Sequence, residues 1–183
     1  MKKPVLLTFF GVLITTFAFA QATSLTSTAL LTRLQEGILF YTQGNWQEAV
    51  EALHPVQEAP SKTMAGEALF WITLANMSGG EYQKALENID KLMLVDPDSH
   101  RVTELSYHKG RALFYLAHYD EAIVALKSYY DSFEPDQYLS HSDLSKKYAA
   151  LYWIGESLYS AGHLDRAGDI FIHLINNYPQ SNK

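Results

Sequence analysis

The amino-acid sequence predicts an all-α protein, an α-solenoid of about four stacked helix pairs. Three observations support this fold class. Apolar residues recur with helical periodicity, no segment has the alternating pattern of a strand, and a small residue recurs at one place in four segments. The recurring small residues are Ala49, Ala85, Ala122 and Ala167. Their separations of 36, 37 and 45 residues are typical of solenoids that use two helices per repeat.

The first twenty residues have the features of a signal peptide. Two lysines precede an apolar run of about 14 residues, 4–17, and a membrane-spanning helix needs roughly 20. The run ends in Ala18-Phe19-Ala20, the small-x-small pattern at which signal peptidase cleaves. We therefore expect cleavage after Ala20 and a periplasmic or secreted protein. The alternative is an uncleaved membrane anchor.

Charge and composition exclude several functions. The formal charge is −6, and removing the two lysines of residues 1–20 leaves 12 basic against 20 acidic residues. Such a protein lacks the cationic face that nucleic acid requires. The absence of cysteine excludes disulfides and thiolate zinc sites. No stable membrane span is expected after cleavage.

Four repeats are predicted within a domain of residues 29–181, which a short linker at 21–28 joins to the signal peptide. Their approximate bounds are 29–61, 66–97, 103–135 and 148–181. An insertion at 131–143 lengthens the third spacing. This insertion is expected to be a surface loop, which costs little entropy; the alternative is an edge that a partner grips. The helices are expected near 27–43, 46–58, 62–78, 82–95, 100–117, 120–133, 143–161 and 164–177.

The recurring small residues have a packing role. The four alanines begin the second helices where these cross the first helices, and a larger side chain would hold the two backbones apart. Gly44, Gly80 and Gly162 are expected to end first helices in left-handed geometry, which glycine adopts at the lowest cost. The other residues assigned a structural role in the repeats are Gly37, Gly110, Gly155, Pro97 and Pro179.

Polar residues mark the predicted helix starts. Ser61, Ser99 and Ser142 are candidate N-caps of first helices, since a serine hydroxyl can accept a hydrogen bond from a free backbone N–H. Asn45 and Glu48 form a candidate capping box for a second helix.

These small, aromatic and proline positions resemble the signature of the tetratricopeptide repeat family over nearly all of residues 29–181. The fourth repeat, YAALYWIGESLYSAGHLDRAGDIFIHLINNYPQS, is also similar to repeats of bacterial envelope proteins, notably the periplasmic partner of the Tol–Pal system and the outer-membrane assembly lipoprotein. The chain departs from the second in lacking a lipid-bearing cysteine and from the first in lacking an N-terminal coiled coil. The resemblance implies a right-handed superhelix that binds proteins and needs no cofactor.

In this family the first helix of each pair lines a concave groove, and the resemblance implies which side chains face it. An apolar, tyrosine-rich strip suits protein recognition. The alternative is that solenoid curvature buries several of these residues as core. The implied partner-binding residues are Leu34, Ile38, Tyr41, Phe70, Leu74, Met77, Tyr107, Arg111, Phe114, Tyr152, Glu156 and Tyr159. The Lys, Asn and Arg with which some family members clamp a C-terminal carboxylate are replaced here, so that type of binding is not expected.

No catalytic, metal or cofactor site is predicted. The seven histidines include no pair at the i, i+4 spacing of a helical metal site. Ser106 and Lys109 match a Ser-x-x-Lys pattern, but companion motifs are missing and chance explains the match. Glu104 and His108 share a helical face, which usually stabilises a helix. An enzyme is therefore not expected.

The favoured function is an exported interaction scaffold or adaptor of the bacterial cell envelope, which binds a protein or peptide in the concave aromatic groove. One alternative is a ligand-binding subunit of a transport system, and another is an activator of a cell-wall enzyme. The last helix is also expected to be an interaction surface, for a second copy or another partner, because Ile170, Leu174 and Ile175 have little polar cover there. The alternative is that the sequence is the front part of a longer protein.

Overall fold

The computed structural model describes residues 26–133 and 139–178. These residues form eight α-helices and no strand, which confirms the predicted all-α class. The predicted signal peptide, Pro179 and the middle of the insertion lie outside the described residues. The helices are α1 (Ser27–Thr42), α2 (Trp46–Leu53), α3 (Lys62–Ser78), α4 (Tyr82–Val95), α5 (Val102–Tyr115), α6 (Tyr119–Asp131), α7 (His141–Ser160) and α8 (Leu164–Asn177).

The helices stack as a solenoid of four pairs. Each helix packs on the next, and the first helices α1, α3, α5 and α7 also contact one another in order. Within the described ranges, no second helix (α2, α4, α6 or α8) contacts another second helix. Successive first helices are therefore closer together than successive second helices, so the solenoid curves with its first helices on the concave side. None of the described helices is long and apolar enough to cross a bilayer.

Glycine allows the two helices of a pair to approach closely. A Cβ placed on Gly37 would lie 2.3 Å from Leu53 Cγ, and one placed on Gly110 would lie 2.4 Å from Leu126 Cγ. In the second pair Thr73 has the equivalent position, is fully buried and donates its hydroxyl to the Leu69 carbonyl at 2.8 Å. The second-helix alanines are 0–1% exposed: Ala49, Ala85, Ala122 and Ala167.

The turn after each first helix has one residue in left-handed geometry. Gly44, Gly80 and Gly162 have φ of +81°, +79° and +84°, which confirms their predicted role in ending the helices. In the third pair Ala117 has the equivalent position with φ of +62°. An alanine there has a Cβ close to its own backbone, a strain that glycine avoids.

The second helix ends five residues before its predicted end, the largest difference at any helix end. The predicted second helix extends to residue 58, whereas α2 ends at Leu53 and turns follow. Pro55 explains the difference, because proline lacks a backbone N–H and its ring clashes with the preceding helical turn. Apolar periodicity continues past this proline through Val56, which is fully buried.

Three of the predicted caps are wrong. The Asn45 side chain makes no capping hydrogen bond. Ser142 lies inside α7, which is capped by Ser140, whose hydroxyl accepts from the Asp143 N–H at 3.1 Å. Ser99 accepts from Arg101 N–H at 3.3 Å in the turn before α5 and does not cap the helix. Only Ser61 of these candidates caps a helix, by accepting from Met64 N–H at 3.4 Å.

Candidate functional site

Aromatic and imidazole rings join successive first helices along the concave side. Trp71 on α3, His108 on α5 and Trp153 on α7 occupy equivalent positions of their repeats, and each packs against the preceding first helix. Their ring partners are Tyr41, Phe70 and Phe114, at centroid distances of 5.3, 6.3 and 5.1 Å. These three residues were not among the predicted site residues, although they recur at the same spacing as the second-helix alanines.

A ladder of ion pairs crosses the same helices nearer their N-terminal ends. Glu67 on α3 accepts two hydrogen bonds from Arg101, at 3.0 and 3.1 Å. Arg101 also lies 3.7 Å from Glu104 on α5, and Glu104 pairs with Lys146 on α7. The ladder therefore ties three successive repeats together. A guanidinium that binds a carboxylate through two parallel hydrogen bonds also fixes the geometry of the contact.

Glu104 and His108 influence each other's protonation. The contact with His108 and the ammonium of Lys146 lower the pKa of Glu104 to about 2, against the opposing effect of burial. His108 is 8% exposed, and neither ring nitrogen has a hydrogen-bond partner in the described chain. Its Nε2 lies 3.8 Å from Glu104 Oε1. Burial lowers the pKa of His108, so the imidazole is held in its neutral form.

Three of the twelve residues expected to line the groove are core residues. Phe70 is 2% exposed, and Met77 and Tyr107 are each 8% exposed. These side chains have almost no surface to offer a partner, and the expectation that they face an open groove is corrected accordingly. The cause is the close packing of the first helices, which places Phe70 between Trp71, His108 and the Arg101 guanidinium.

The other nine residues keep part of their surface accessible. Tyr159 is the most exposed, at 61%. A role for these residues in partner binding stays a prediction. The half-buried members are Leu34, Ile38, Tyr41, Leu74, Arg111, Phe114, Tyr152 and Glu156.

Arg111 is held between aromatic rings near the middle of the concave side. Its guanidinium carbon lies 5.6 Å from the Tyr107 ring centroid and 5.4 Å from that of Trp153. On the next first helix, burial and the Glu156 carboxylate raise the pKa of Tyr152. A cation between two aromatic rings is stabilised by their negative faces, so the position of Arg111 is well defined.

Two clefts lie on the outer side, where successive second helices do not touch. One has a volume of about 650 Å³ between α2 and α4, and its lining includes Trp46, Ile72 and Lys84. The other has about 400 Å³ between α6 and α8. These clefts could not be predicted from the sequence, because they depend on the distance between repeats. Within the described ranges, no three His, Asp or Glu side chains gather closely enough to hold a metal ion.

The last helix has a different apolar surface from the one predicted. Leu174 is 8% exposed and belongs to the core, whereas Ile170 is half-buried at the outer cleft. Ile175 is 69% exposed, as predicted for an uncovered face, and Ile172 is 59% exposed. The exposed large apolar residues of α8 are therefore Leu164, Ile172 and Ile175.

The stacked helix pairs and their concave side define a helical-repeat protein-interaction scaffold. Two family models described as tetratricopeptide repeat match residues 34–92 and 149–181. The chain belongs to the tetratricopeptide repeat family, whose fold serves in protein interaction and is generally not enzymatic. No curated protein matches this sequence.

The solved structures that are similar to this chain include two of MamA. The MamA RS-1 ArsTM double mutant is 19% identical with a TM-score of 0.67, and the match covers 85% of this chain and 78% of that one. A crystal structure of MamA protein is 21% identical with a TM-score of 0.49, over 81% of this chain and 91% of that one. The first similarity supports the solenoid fold.

Proposed function

We propose that this protein is an exported, non-enzymatic scaffold of the bacterial cell envelope that binds a partner protein or peptide on its concave side. The observation that carries this proposal is the accessible, tyrosine-rich strip of the first helices, which includes Tyr41, Tyr152 and Tyr159. Leu31 is 46% exposed and Tyr159 is 61% exposed. Leu31 is one helical turn before Leu34 on α1, and Tyr159 is on α7, so the two lie at opposite ends of this strip. Accessible apolar surface is typical of interaction sites, and tyrosine is enriched among residues that dominate binding.

The concave side also has the rigidity that a binding surface needs. The Trp71, His108 and Trp153 contacts and the ion-pair ladder hold successive first helices in fixed relative positions. Half-buried side chains next to these contacts lose little further freedom when a partner binds. A preorganised surface binds a partner more tightly than a flexible one, because fewer side chains lose conformational entropy on association.

Export is supported by the sequence features of residues 1–20 and by the similarity of the fourth repeat to envelope proteins. Cell fractionation with N-terminal sequencing tests it. We expect the protein in the periplasm or the medium, with Gln21 as its first residue. A cytoplasmic product that still begins at Met1 would contradict the proposal.

Binding on the concave side can be tested by affinity capture from an envelope extract, followed by mass spectrometry. We expect the double variant Leu31→Glu, Tyr159→Glu to lose captured partner by about tenfold or more, since charges would enter an apolar interface. The matched control is Leu94→Glu, Val124→Glu on second helices, where the parent residues are 84% and 70% exposed. All four parent residues are exposed, so both variants should keep the parent circular dichroism spectrum.

The outcome of this capture experiment separates the scaffold from the alternatives. Equal loss in both double variants would contradict a concave binding site. A small apolar ligand that copurifies with an oligomer would favour the transport subunit instead. A captured wall hydrolase whose rate rises on addition of the protein would favour the activator.

A further inference from the structure

Arg111 has no anionic partner among the described residues, although it lies on the concave side among paired charges. Its Nε is inaccessible to water and has no hydrogen-bond partner, and no carboxylate of the described residues lies within 4.0 Å of its nitrogens. Two other basic residues of the first-helix side do have carboxylate partners: Arg101 pairs with Glu67, and Lys146 pairs with Glu104.

The aromatic contacts of Arg111 position its guanidinium but leave its hydrogen bonds unused. A ring face attracts the positive charge, whereas the five guanidinium N–H groups need oxygen acceptors. The Tyr107 and Trp153 rings therefore act as walls that restrict the side chain. Arginine matches a carboxylate better than any other common side chain, because two N–H groups can bind its two oxygens at once.

We infer that Arg111 is the binding site for the carboxylate of an aspartate or glutamate side chain in a partner segment that crosses the concave side. This inference rests on the proposed function and specifies the chemistry of the partner. The concave surface extends to both sides of Arg111. Tyr41 on α1 is accessible on one side, and Tyr159 on α7 is accessible on the other. A segment that passes through can contact both sides, so an internal acidic residue fits better than a chain terminus.

The surroundings of Arg111 also limit the charge of that segment. Glu156 has the equivalent position on the next first helix, and the whole chain is acidic with a formal charge of −6. A strongly acidic segment would be repelled, since like charges at close range disfavour binding. The expected partner segment therefore carries one acidic residue flanked by apolar or aromatic residues.

Fluorescent peptide pools can test the inference with the mature protein. The first pool contains short peptides of Ala, Leu, Phe and Tyr with one central glutamate, acetylated and amidated at their ends. The second replaces glutamate by glutamine, and the third has glutamine with a free C-terminal carboxylate. By fluorescence anisotropy we expect the glutamate pool to bind about tenfold more tightly than the glutamine pool, as a charge-assisted hydrogen bond predicts.

Variants of Arg111 connect this preference to one residue. Arg111→Met keeps an apolar stem between the rings and should remove the preference for glutamate, whereas Arg111→Lys should keep part of it. Lys109→Gln is the matched control: it removes one positive charge from the same helix and should leave the preference unchanged. Urea denaturation of each variant shows whether it is folded under the binding conditions.

Several results would overturn the inference. These are equal binding of the glutamate and glutamine pools, no measurable binding of the glutamate pool, a preference that survives in folded Arg111→Met, or tighter binding of the pool with the free C-terminus. If the inference fails while Leu31→Glu, Tyr159→Glu still loses its captured partner, the concave site stands and only its assigned chemistry is wrong.

Discussion

Leu126 on α6 lies directly against Gly110 on α5. A Cβ on Gly110 would be 2.4 Å from Leu126 Cγ and 3.1 Å from the Leu126 backbone nitrogen. Because the second contact involves the backbone, rotation of the leucine side chain cannot fully relieve it. The substitution Gly110→Ala should therefore reduce the free energy of unfolding by about 1–3 kcal/mol, which urea denaturation can measure.

Gly168 on α8 provides the control for Gly110→Ala. A Cβ there would meet nothing within 4 Å, so Gly168→Ala should stabilise the protein by about 0.5–1 kcal/mol, the usual gain when alanine replaces glycine inside a helix. The two substitutions add the same methyl group and are expected to have opposite signs. Stabilisation by both would show that α5 and α6 can separate at Gly110 without cost.

Replacing Ala117 by glycine should make the folded protein more stable. Its φ of +62° is unfavourable for alanine, whereas the equivalent Gly162 has φ of +84°. We expect Ala117→Gly to raise the free energy of unfolding by about 0.5–1 kcal/mol, because the relief of left-handed strain exceeds the added entropy of the unfolded chain. The reciprocal change, Gly162→Ala, should lower it by about 1 kcal/mol. Thermal or urea denaturation of both variants checks the pair.

Acid should weaken the fold in two stages. The pKa of His108 is lowered from 6.5 by burial, so below pH 6.5 the unfolded chain binds a proton that the folded chain does not. The pKa of Glu104 is lowered from 4.5 to about 2, so stability is lost again as the pH falls from 4.5 towards 2. In both cases the unfolded state binds more protons, and the free energy of unfolding decreases with decreasing pH.

Urea denaturation across this pH range can separate the two stages. His108→Phe fills the same site with a ring that does not titrate and should flatten the dependence around pH 6. Glu104→Gln should flatten it below pH 4.5 and lower stability at neutral pH, because Lys146 and Arg101 would lose a charged partner. An unchanged pH profile in both variants would show that other groups control the acid response.

Self-association through α8 is the fourth expectation. Ile175 is 69% exposed and Val124 on α6 is 70% exposed, which makes them a matched pair of apolar surface positions. If α8 joins two copies, Ile175→Glu should lower the mass measured by light scattering at high protein concentration, and Val124→Glu should not. A parent protein that is monomeric at every concentration would contradict the expectation.

The sequence predicted the helices well where local signals decide them. The predicted bounds of 62–78, 82–95 and 164–177 agree with α3, α4 and α8 to the residue, because glycine, proline and apolar periodicity act within one helical turn. The end of α2 was missed because buried Val56 continues the apolar pattern after Pro55. At this position the missing N–H and the ring of Pro55 end the helix, although the apolar periodicity continues.

The concave side was less predictable because its burial depends on contacts between repeats. The candidate residues lie on first helices, but the large side chains of Trp71, His108 and Trp153 determine how much of their surface remains accessible. They help to cover Phe70 and Tyr107, which are buried. The ion pair between Glu67 and Arg101 joins residues 34 positions apart, a separation at which helical spacing gives no signal.

Across residues 26–133 and 139–178, successive first helices contact each other and successive second helices do not. The two sides of the solenoid should therefore differ in stiffness. Bending that widens or narrows the outer clefts breaks no direct contact between second helices, whereas sliding of the first helices would break the Glu67–Arg101 and Glu104–Lys146 pairs. We therefore expect the solenoid to bend easily at its outer side, while the row of first helices on its inner side stays stiff. Its curvature can follow the width of a bound partner while the spacing of the inner contacts is preserved.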